Sequence, residues 1–215
     1  MKKFALLLIV ILAISMSVTA ADKPIRVEMK MGIPNLLGGS VEYMLPDLGI
    51  PAINNALAPY IDVSVFNLAL DETVSFGFSY FGLGAKYYFD QLVTDLGLPS
   101  MADGTYAALG FGRMGFTFTD DAWLGDYDSS IGTWIEGSAE GSIGVSMLQF
   151  SIGKRWMLGP LTGTLELGKT FGTMDDTFEV EVNYNNGTSE TDFEDTSDIP
   201  LGVGGLASLT IGFAF

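Results

Sequence analysis

The sequence contains neither cysteine nor histidine among its 215 residues. Without cysteine the chain can form no disulfide, no thiolate metal site and no thiol-linked lipid anchor. Histidine usually serves as the general base near neutral pH, so its absence removes the commonest way to activate a serine or a water molecule. We therefore expect no enzymatic activity and no cofactor.

Positive charge is also scarce. The chain has 10 Lys and Arg against 26 Asp and Glu, a formal net charge of −16. Two segments, 119–141 and 175–200, carry fifteen of the acids and none of the bases. Nucleic-acid binding requires a basic surface facing the phosphates, so this distribution excludes a nucleic-acid partner.

Long apolar runs are missing after the first twenty residues. The run at 4–14 (FALLLIVILAI) has eleven residues, whereas a transmembrane helix needs about 20. It follows Lys2 and Lys3 and precedes the small-residue site Val18-Thr19-Ala20, the pattern of a cleaved signal peptide. We predict a signal peptide at 1–20 and a single domain at 21–215; a retained membrane anchor is the alternative.

What the sequence does contain is apolar residues at every second position. The clearest case is the segment 201–215 (LGVGGLASLTIGFAF), in which Leu209, Ile211, Phe213 and Phe215 share one face. Residues between them are small, apolar or weakly polar. A period of two predicts a β-strand. Fifteen residues is long for a soluble strand but enough to cross a bilayer, for which a tilted strand needs roughly 9–11.

This Phe-terminated strand, together with the signal peptide, resembles the closing strand and export signal of bacterial outer-membrane β-barrels. The resemblance implies an all-β, antiparallel, up-and-down transmembrane barrel in the outer membrane, surrounded by its lipids. It also implies that Leu209, Ile211, Phe213 and Phe215 form the assembly signal, with the barrel-assembly machinery as a partner. Residues 81–90 (FGLGAKYYFD) are similar to barrels grouped near the FadL-type transporters. The likeness thus covers small OmpA- or OmpX-like barrels and uncharacterised FadL-related ones.

Alternation along the rest of the chain predicts eight strands. They fall at 25–33, 40–45, 60–70, 74–89, 105–119, 142–157, 161–172 and 201–215. The apolar phase changes near Val65, Tyr80 and Met147, which predicts bulges there. Splitting 74–89, or counting 178–184 separately, would give ten strands. Short helices are expected at 52–57 and 91–96. Strand parity places both acidic segments outside the cell as extracellular loops.

The charged residues within the predicted strands are expected to face the lumen. These are Arg26, Glu28, Lys30, Glu42, Asp62, Lys86, Arg113 and Glu166. A buried charge without a partner costs several kcal/mol, so we interpret them as a paired network that closes an eight-strand barrel. Ten or more strands would instead favour a pore. Carboxylate-pair catalysis by Glu28, Glu42, Asp62 and Glu166 is the less favoured alternative.

The first acidic segment contains weak candidates for a divalent-cation site. Asp120, Asp121, Asp126 and Asp128 lie close in sequence, and hard cations bind clustered carboxylates. Their spacing does not match a calcium-binding loop, so a solvated loop is favoured.

The sequence predicts a non-enzymatic barrel with a role in envelope structure or surface presentation. A porin-like channel or a transporter of small hydrophobic molecules is the alternative. A soluble, lipocalin-like periplasmic binder is less favoured.

Overall fold

A computed structural model describes residues 23–46, 49–50, 55–90, 95–97, 103–128, 133–174, 177–184, 187–195 and 204–215. The predicted signal peptide lies outside this part of the chain. Most of the two predicted helices, at 52–54 and 91–94, lies outside it as well. Within the described residues there is no helix of the length and apolarity needed to cross a membrane.

The described chain is built from ten β-strands. They are β1 (Ile25–Ile33), β2 (Leu36–Tyr43), β3 (Leu57–Ala69), β4 (Val74–Tyr88), β5 (Thr105–Asp128), β6 (Thr133–Leu158), β7 (Leu161–Met174), β8 (Thr177–Tyr184), β9 (Ser189–Asp195) and β10 (Gly204–Ala214).

Eight of these strands form a closed ring. Strands β1 to β7 pair with their antiparallel neighbours in chain order, and β10 joins β7 to β1. Backbone hydrogen bonds between Ile25 and Phe215 complete the closure. We call this end of the barrel the base and the opposite end the top. The predicted eight-strand antiparallel barrel is confirmed.

The two remaining strands extend the sheet above the ring. β8 pairs with the upper part of β6, and β9 pairs with β8. The predicted extra strand at 178–184 therefore exists, but as an addition to the ring. Ten strands is the size of the whole sheet.

Side chains alternate between the two faces of the wall as the sequence predicts. On β1, Met29 and Met31 are exposed on the outside while Arg26 and Lys30 are buried inside. The same pattern on the other strands leaves the outer wall covered by Leu, Ile, Val, Phe and Met side chains. Such an apolar exterior around a polar interior is typical of a barrel whose wall faces lipid.

The predicted bulges at Val65 and Tyr80 were wrong. The β3–β4 register runs without a break from Leu57 opposite Tyr87 to Ala69 opposite Ser75. The change of phase instead marks the height at which apolar side chains begin to point inward. The β6–β7 register through Met147 is likewise continuous.

Much of the two acidic segments, which were predicted as loops outside the membrane, is β-strand in the described residues. β5 and β6, at 24 and 26 residues, are far longer than a membrane crossing requires, and they pair through most of 119–141. Strands β8 and β9 occupy much of 175–200. Glu179 and Glu181 lie exposed on one face of this upper sheet, whereas Val182 is buried on the other. The sheet thus keeps its acids in solvent while its backbone remains paired.

The short turn from β3 to β4 is organised by one carboxylate. Asp71 accepts hydrogen bonds from the backbone N–H groups of Thr73, at 2.8 Å, and Val74, at 2.7 Å. These bonds lower the pKa of Asp71, because they stabilise its ionised form.

Candidate functional site

The lower half of the lumen is organised around Glu42, which is 1% exposed. Its Oε1 accepts hydrogen bonds from Arg26 Nη1 at 2.5 Å and Arg155 Nη1 at 3.0 Å, and from the Tyr88 hydroxyl at 2.9 Å. Its Oε2 accepts from Lys86 Nζ at 2.9 Å and Arg155 Nη2 at 2.5 Å. One carboxylate on β2 therefore ties together β1, β4 and β6 across the barrel interior.

A second ion cluster lies beside this one. Lys30 Nζ donates to Asp62 Oδ2 at 2.7 Å and lies 3.6 Å from Glu166 Oε1. The Tyr106 hydroxyl donates to the other oxygen of Glu166, Oε2, at 2.7 Å. This cluster links β1 to β3, β5 and β7.

Glu28 is bound differently. Thr162 and Thr210 donate hydroxyl hydrogen bonds to its two oxygens, at 2.7 and 3.2 Å. Among the described residues Glu28 has no cation within salt-bridge distance, although it is 2% exposed. Neutral hydroxyls are weaker partners than cations, so Glu28 provides an internal comparison for Glu42.

Tyrosine rings fill the space between the cations. Lys86 Nζ lies between the rings of Tyr60 and Tyr106, 5.2 and 5.0 Å from their centroids. The Arg155 guanidinium lies 4.6 Å from the centre of the Tyr88 ring. These cation–π contacts give the buried cations a second source of stabilisation besides the carboxylates.

Glycines on adjacent strands make room for these rings. A Cβ on Gly153 would overlap the ring of Tyr106, and one on Gly110 would overlap the hydroxyl of Tyr60. These positions therefore require glycine, because an aromatic side chain lies directly against the backbone there.

Seven of the eight residues predicted to form the lumen network lie buried inside the barrel. They are Arg26, Glu28, Lys30, Glu42, Asp62, Lys86 and Glu166.

The placement of Arg113 was wrong. Arg113 is exposed on the outer face of β5, opposite Phe81 of β4. Its neighbour Gly112 faces inward, since a Cβ there would touch the hydroxyl of Tyr80 and the amide of Gln149.

Arg155, on β6, supplies the cation that sequence reasoning missed. The signal was present: Phe150 and Ile152 establish that even-numbered positions on the lower part of β6 face outward. Position 155 therefore faces inward and position 154 does not.

The upper half of the lumen has a different character. Phe78, Tyr80, Val145 and Met147 are buried together there. Further partly buried apolar side chains pack on them from β3, β4 and β5, namely Phe66, Phe76, Met114 and Phe116. Phe78 lies 5.3 Å from Phe66 and 5.4 Å from Phe116, measured between ring centroids. The lumen is thus charged at the base and apolar at the top.

The acidic residues of the upper sheet do not assemble into a metal site in the described part of the chain, where no group of three or more possible ligands lies together. Asp120 accepts a hydrogen bond from the backbone N–H of Ala122 at 3.0 Å, and Asp121 is exposed. The side chains of Asp126 and Asp128 fall outside the described set.

Three of the predicted assembly residues, Leu209, Ile211 and Phe213, lie on the outer face of β10, and Phe215 follows its last residue. Leu209 and Ile211 are exposed, and Phe213 and Phe215 are partly buried. Their placement suits contact with lipid or with another protein. Their role in assembly stays a prediction.

No protein-family profile and no curated protein matches the chain. Among solved structures, a major outer membrane protein from Thermus thermophilus superposes with a TM-score of 0.52 at 13% identity, covering 89% of this chain and 98% of that one. CarO from Acinetobacter baumannii gives a TM-score of 0.44 at 11% identity, with 92% and 100% covered. CarO2 from the same species gives 0.43 at 10%, with 90% and 99% covered. The Thermus likeness confirms the predicted fold, that of a bacterial outer-membrane β-barrel.

Proposed function

We propose that this chain is a non-conducting, non-enzymatic protein of the outer membrane that carries an acidic β-sheet above its surface. The observation that supports this most directly is the layer around Glu42. There one buried carboxylate holds Arg26, Lys86 and Arg155 across the lumen at hydrogen-bonding distance.

This layer argues against a porin-like channel. An eight-strand barrel is only just wide enough to be filled by side chains. In the described strands four buried carboxylates balance four buried cations, and Lys23, just before β1, donates to the Ala214 carbonyl, so little charge excess is left there to select an ion. The same layer opposes a transporter that moves hydrophobic molecules along the barrel axis.

The outer wall argues against a soluble lipocalin-like binder. Met29, Leu83, Phe150 and Ile211 are among many large apolar side chains that are about half exposed around the ring. Soluble monomers rarely expose apolar patches of more than a few hundred Å². A lipid environment removes this cost.

The lumen carboxylates are poorly suited to catalysis. Glu42 and Asp62 each bind a buried cation, and Glu166 receives a hydrogen bond from Tyr106. General acid–base work requires a carboxyl group within reach of a substrate proton. Groups engaged in this way serve the packing of the barrel.

The upper sheet supports a role in surface presentation. It continues the wall through β5, β6, β8 and β9, and its exposed face carries Glu136, Glu140, Glu179 and Glu181. With β1 starting at the periplasmic side, this sheet would stand outside the cell.

The proposal is tested by recording the purified full-length chain in planar lipid bilayers. We expect no discrete openings, because the Glu42 layer blocks the lumen. Reproducible single-channel steps would overturn the closed-barrel proposal. As a comparison, Glu42→Ala combined with Arg155→Ala removes two large side chains without changing the net charge, and it should make conductance measurable.

Membrane attachment is tested by carbonate washing of envelope fractions. An integral barrel stays with the membrane pellet. Release into the supernatant would favour the lipocalin-like alternative.

A further inference from the structure

The outer side of the ring carries charge of one sign only. Below the upper sheet, with β5 counted up to Thr119 and β6 from Ser142, the described strands of the ring contain acids that are all buried in the lumen, namely Glu28, Glu42, Asp62 and Glu166. Some of the bases on the same strands face outward instead, namely Arg113 on β5, Lys154 on β6 and Lys169 on β7. The strands of this wall are therefore positive on the outside, although the chain has a net charge of −16.

Arg113 and Lys169 stand at a similar height on the wall. Each lies eight positions above the first residue of its strand, Thr105 of β5 and Leu161 of β7. At roughly 3.3 Å per residue and a strand tilt of roughly 40°, eight positions correspond to a rise of roughly 20 Å. The apolar band of an outer-membrane barrel is about 25 Å tall. Both cations therefore stand near the upper edge of this band, where the lipid head groups begin.

The composition of the wall changes at this height. Below Arg113 the outer face of β5 carries Leu109 and Phe111, which are about half exposed. Above Arg113 the outward positions of the same strand are Gly115 and Thr117. Large apolar side chains thus give way to small and polar ones, as expected where the hydrocarbon of a bilayer ends. A long cationic side chain suits this level, because its stem lies on apolar surface while its charged end reaches the head groups.

Strand β6 runs between the two cations and supplies an apolar surface. Arg113 lies opposite Ser146 of β6, and Lys169 lies opposite Phe150. Phe150 and Leu148, which lies between these two positions on the same face, are each 50% exposed. Two strand spacings and four residues put the Cα atoms of Arg113 and Lys169 roughly 16 Å apart. Both side chains are long, so their charged ends reach a group that lies over Leu148.

We propose that this patch, formed by Arg113, Leu148, Phe150 and Lys169, binds an anionic phospholipid of the surrounding membrane. The phosphate accepts hydrogen bonds from the guanidinium of Arg113 and the ammonium of Lys169, and the acyl chains lie on the apolar side chains of β6. Guanidinium groups bind phosphate through two parallel hydrogen bonds, and an ammonium binds it as a compact charge. A zwitterionic lipid fits less well, because its own ammonium already neutralises the phosphate. The proposal rests on the barrel spanning a membrane, but it does not require a closed lumen.

Lys154 provides a matched comparison on the same wall. It stands near the base, where its Nζ donates to the backbone carbonyl of Asp103. Asp90 and Asp103 line the same pocket as Lys154, so acids accompany this cation. Arg113 and Lys169 stand on strands whose outer side carries no acid below the upper sheet, in the part of the chain that the structure describes. The proposed lipid site is therefore confined to the upper edge of the apolar band.

The test places a single tryptophan reporter on the wall of the full-length chain, reconstituted in phosphatidylcholine vesicles. The native tryptophans are replaced by phenylalanine, and the reporter is either Leu148→Trp in the patch or Val41→Trp on β2, directly across the ring from β6. Brominated lipids quench a tryptophan according to how often they occupy the position beside it. For Leu148→Trp, brominated phosphatidylglycerol should bind roughly fivefold more tightly than brominated phosphatidylcholine, or better. For Val41→Trp the two lipids should bind equally.

The cations are tested by charge removal. Arg113→Gln combined with Lys169→Gln should bring the preference measured at Leu148→Trp close to one, whereas Lys154→Gln should leave it unchanged. A preference that is the same at both reporters, or that survives the double change, overturns the proposal. Heat-modifiable migration shows separately whether each variant spans the bilayer, so a failed barrel is not mistaken for a lost lipid. If the double variant does not insert, Lys169→Gln is measured alone and must lower the preference.

Competition experiments identify the head group. Unlabelled phosphatidic acid should displace brominated phosphatidylglycerol from the patch, because it carries the phosphate that the cations bind. Diacylglycerol hemisuccinate, which has a carboxylate instead of the phosphate, should displace it much less. Equal displacement by the two lipids would contradict phosphate recognition. Inorganic phosphate at millimolar concentration should have no effect, and displacement by it would mean that the patch binds free phosphate rather than a lipid.

Discussion

Replacing Glu42 by glutamine removes one negative charge from the lumen without changing the shape of the side chain. Three cations, Arg26, Lys86 and Arg155, then face each other in a buried space without their shared carboxylate. We expect this single substitution to destabilise the barrel more than any other change of one lumen carboxylate to its amide.

The expected size follows from the contacts. Removing one partner of a buried ion pair typically costs about 3–5 kcal/mol, because it leaves an uncompensated charge. Glu28→Gln is the matched comparison, since Glu28 is as deeply buried but accepts only from the hydroxyls of Thr162 and Thr210. Losing a charge there should cost about 1–3 kcal/mol. From the midpoints of these ranges, the two variants should differ in free energy of unfolding by about 2 kcal/mol.

Urea unfolding in lipid vesicles, followed by tryptophan fluorescence and by heat-modifiable migration, measures this difference. The double variant Glu42→Gln with Arg26→Gln should recover part of the loss, because it also removes one unpaired cation. If Glu42→Gln is no more destabilising than Glu28→Gln, the carboxylate is not the centre of the network. A double variant that is worse than the sum of its single changes would also contradict the reasoning.

Two further predictions concern packing and assembly. Gly153→Ala should destabilise the barrel by about 1–3 kcal/mol, because the added Cβ would overlap the buried Tyr106 ring. The control is Gly205→Ala, on the open outer face of β10, which should be neutral or slightly stabilising in the same urea assay. Deleting Phe215 should reduce assembly in the outer membrane, because it removes the predicted signal and the backbone bonds to Ile25 that close the base. Unchanged heat-modifiable migration of the truncated chain would count against both roles.

The ring and most of its interior were predictable because lipid imposes a strict period of two on the sequence. On β1, alternation alone separates Ile25, Val27 and Met29 from Arg26 and Glu28, and the structure divides them between the two faces in the same way. Alternation no longer separates the two faces where the inner face becomes apolar. Both the odd and the even positions of the strand are then apolar, so the sequence does not show which of them point inward. That ambiguity produced the wrong bulges at Val65 and Tyr80.

The same ambiguity explains the exchange of Arg113 for Arg155. Arg113 lies where β5 has Phe111 outside and Met114 inside, so apolar residues occupy both phases around it. Below that height on β6, Phe150 and Ile152 settle the phase and place Arg155 inward. A charged residue can be assigned to the lumen only where every second position around it, on the same face of the strand, is polar or small.

The acidic segments show how composition and alternation can differ in what they predict. Their composition predicts solvated loops, but composition does not report backbone pairing, and only the alternation at 178–184 indicated an extra strand. Val180 and Val182 alternate with Glu179 and Glu181, and this is a strand pattern whose polar face is acidic. What the sequence could not show is that β6 continues far enough above the ring to offer β8 a partner.

The two halves of the lumen suit different roles. At the base, buried charges from several strands bind one another and the tyrosines between them, so that region holds the wall together. At the top, apolar side chains replace the charges and pack on one another, which removes their surface from water. In the described ring β2 and β3 part above their last pair, Gly39 and Val63, so the seam between them lies beside this apolar half. Because the parted strands lie above the ion clusters, the charged base stays closed around them.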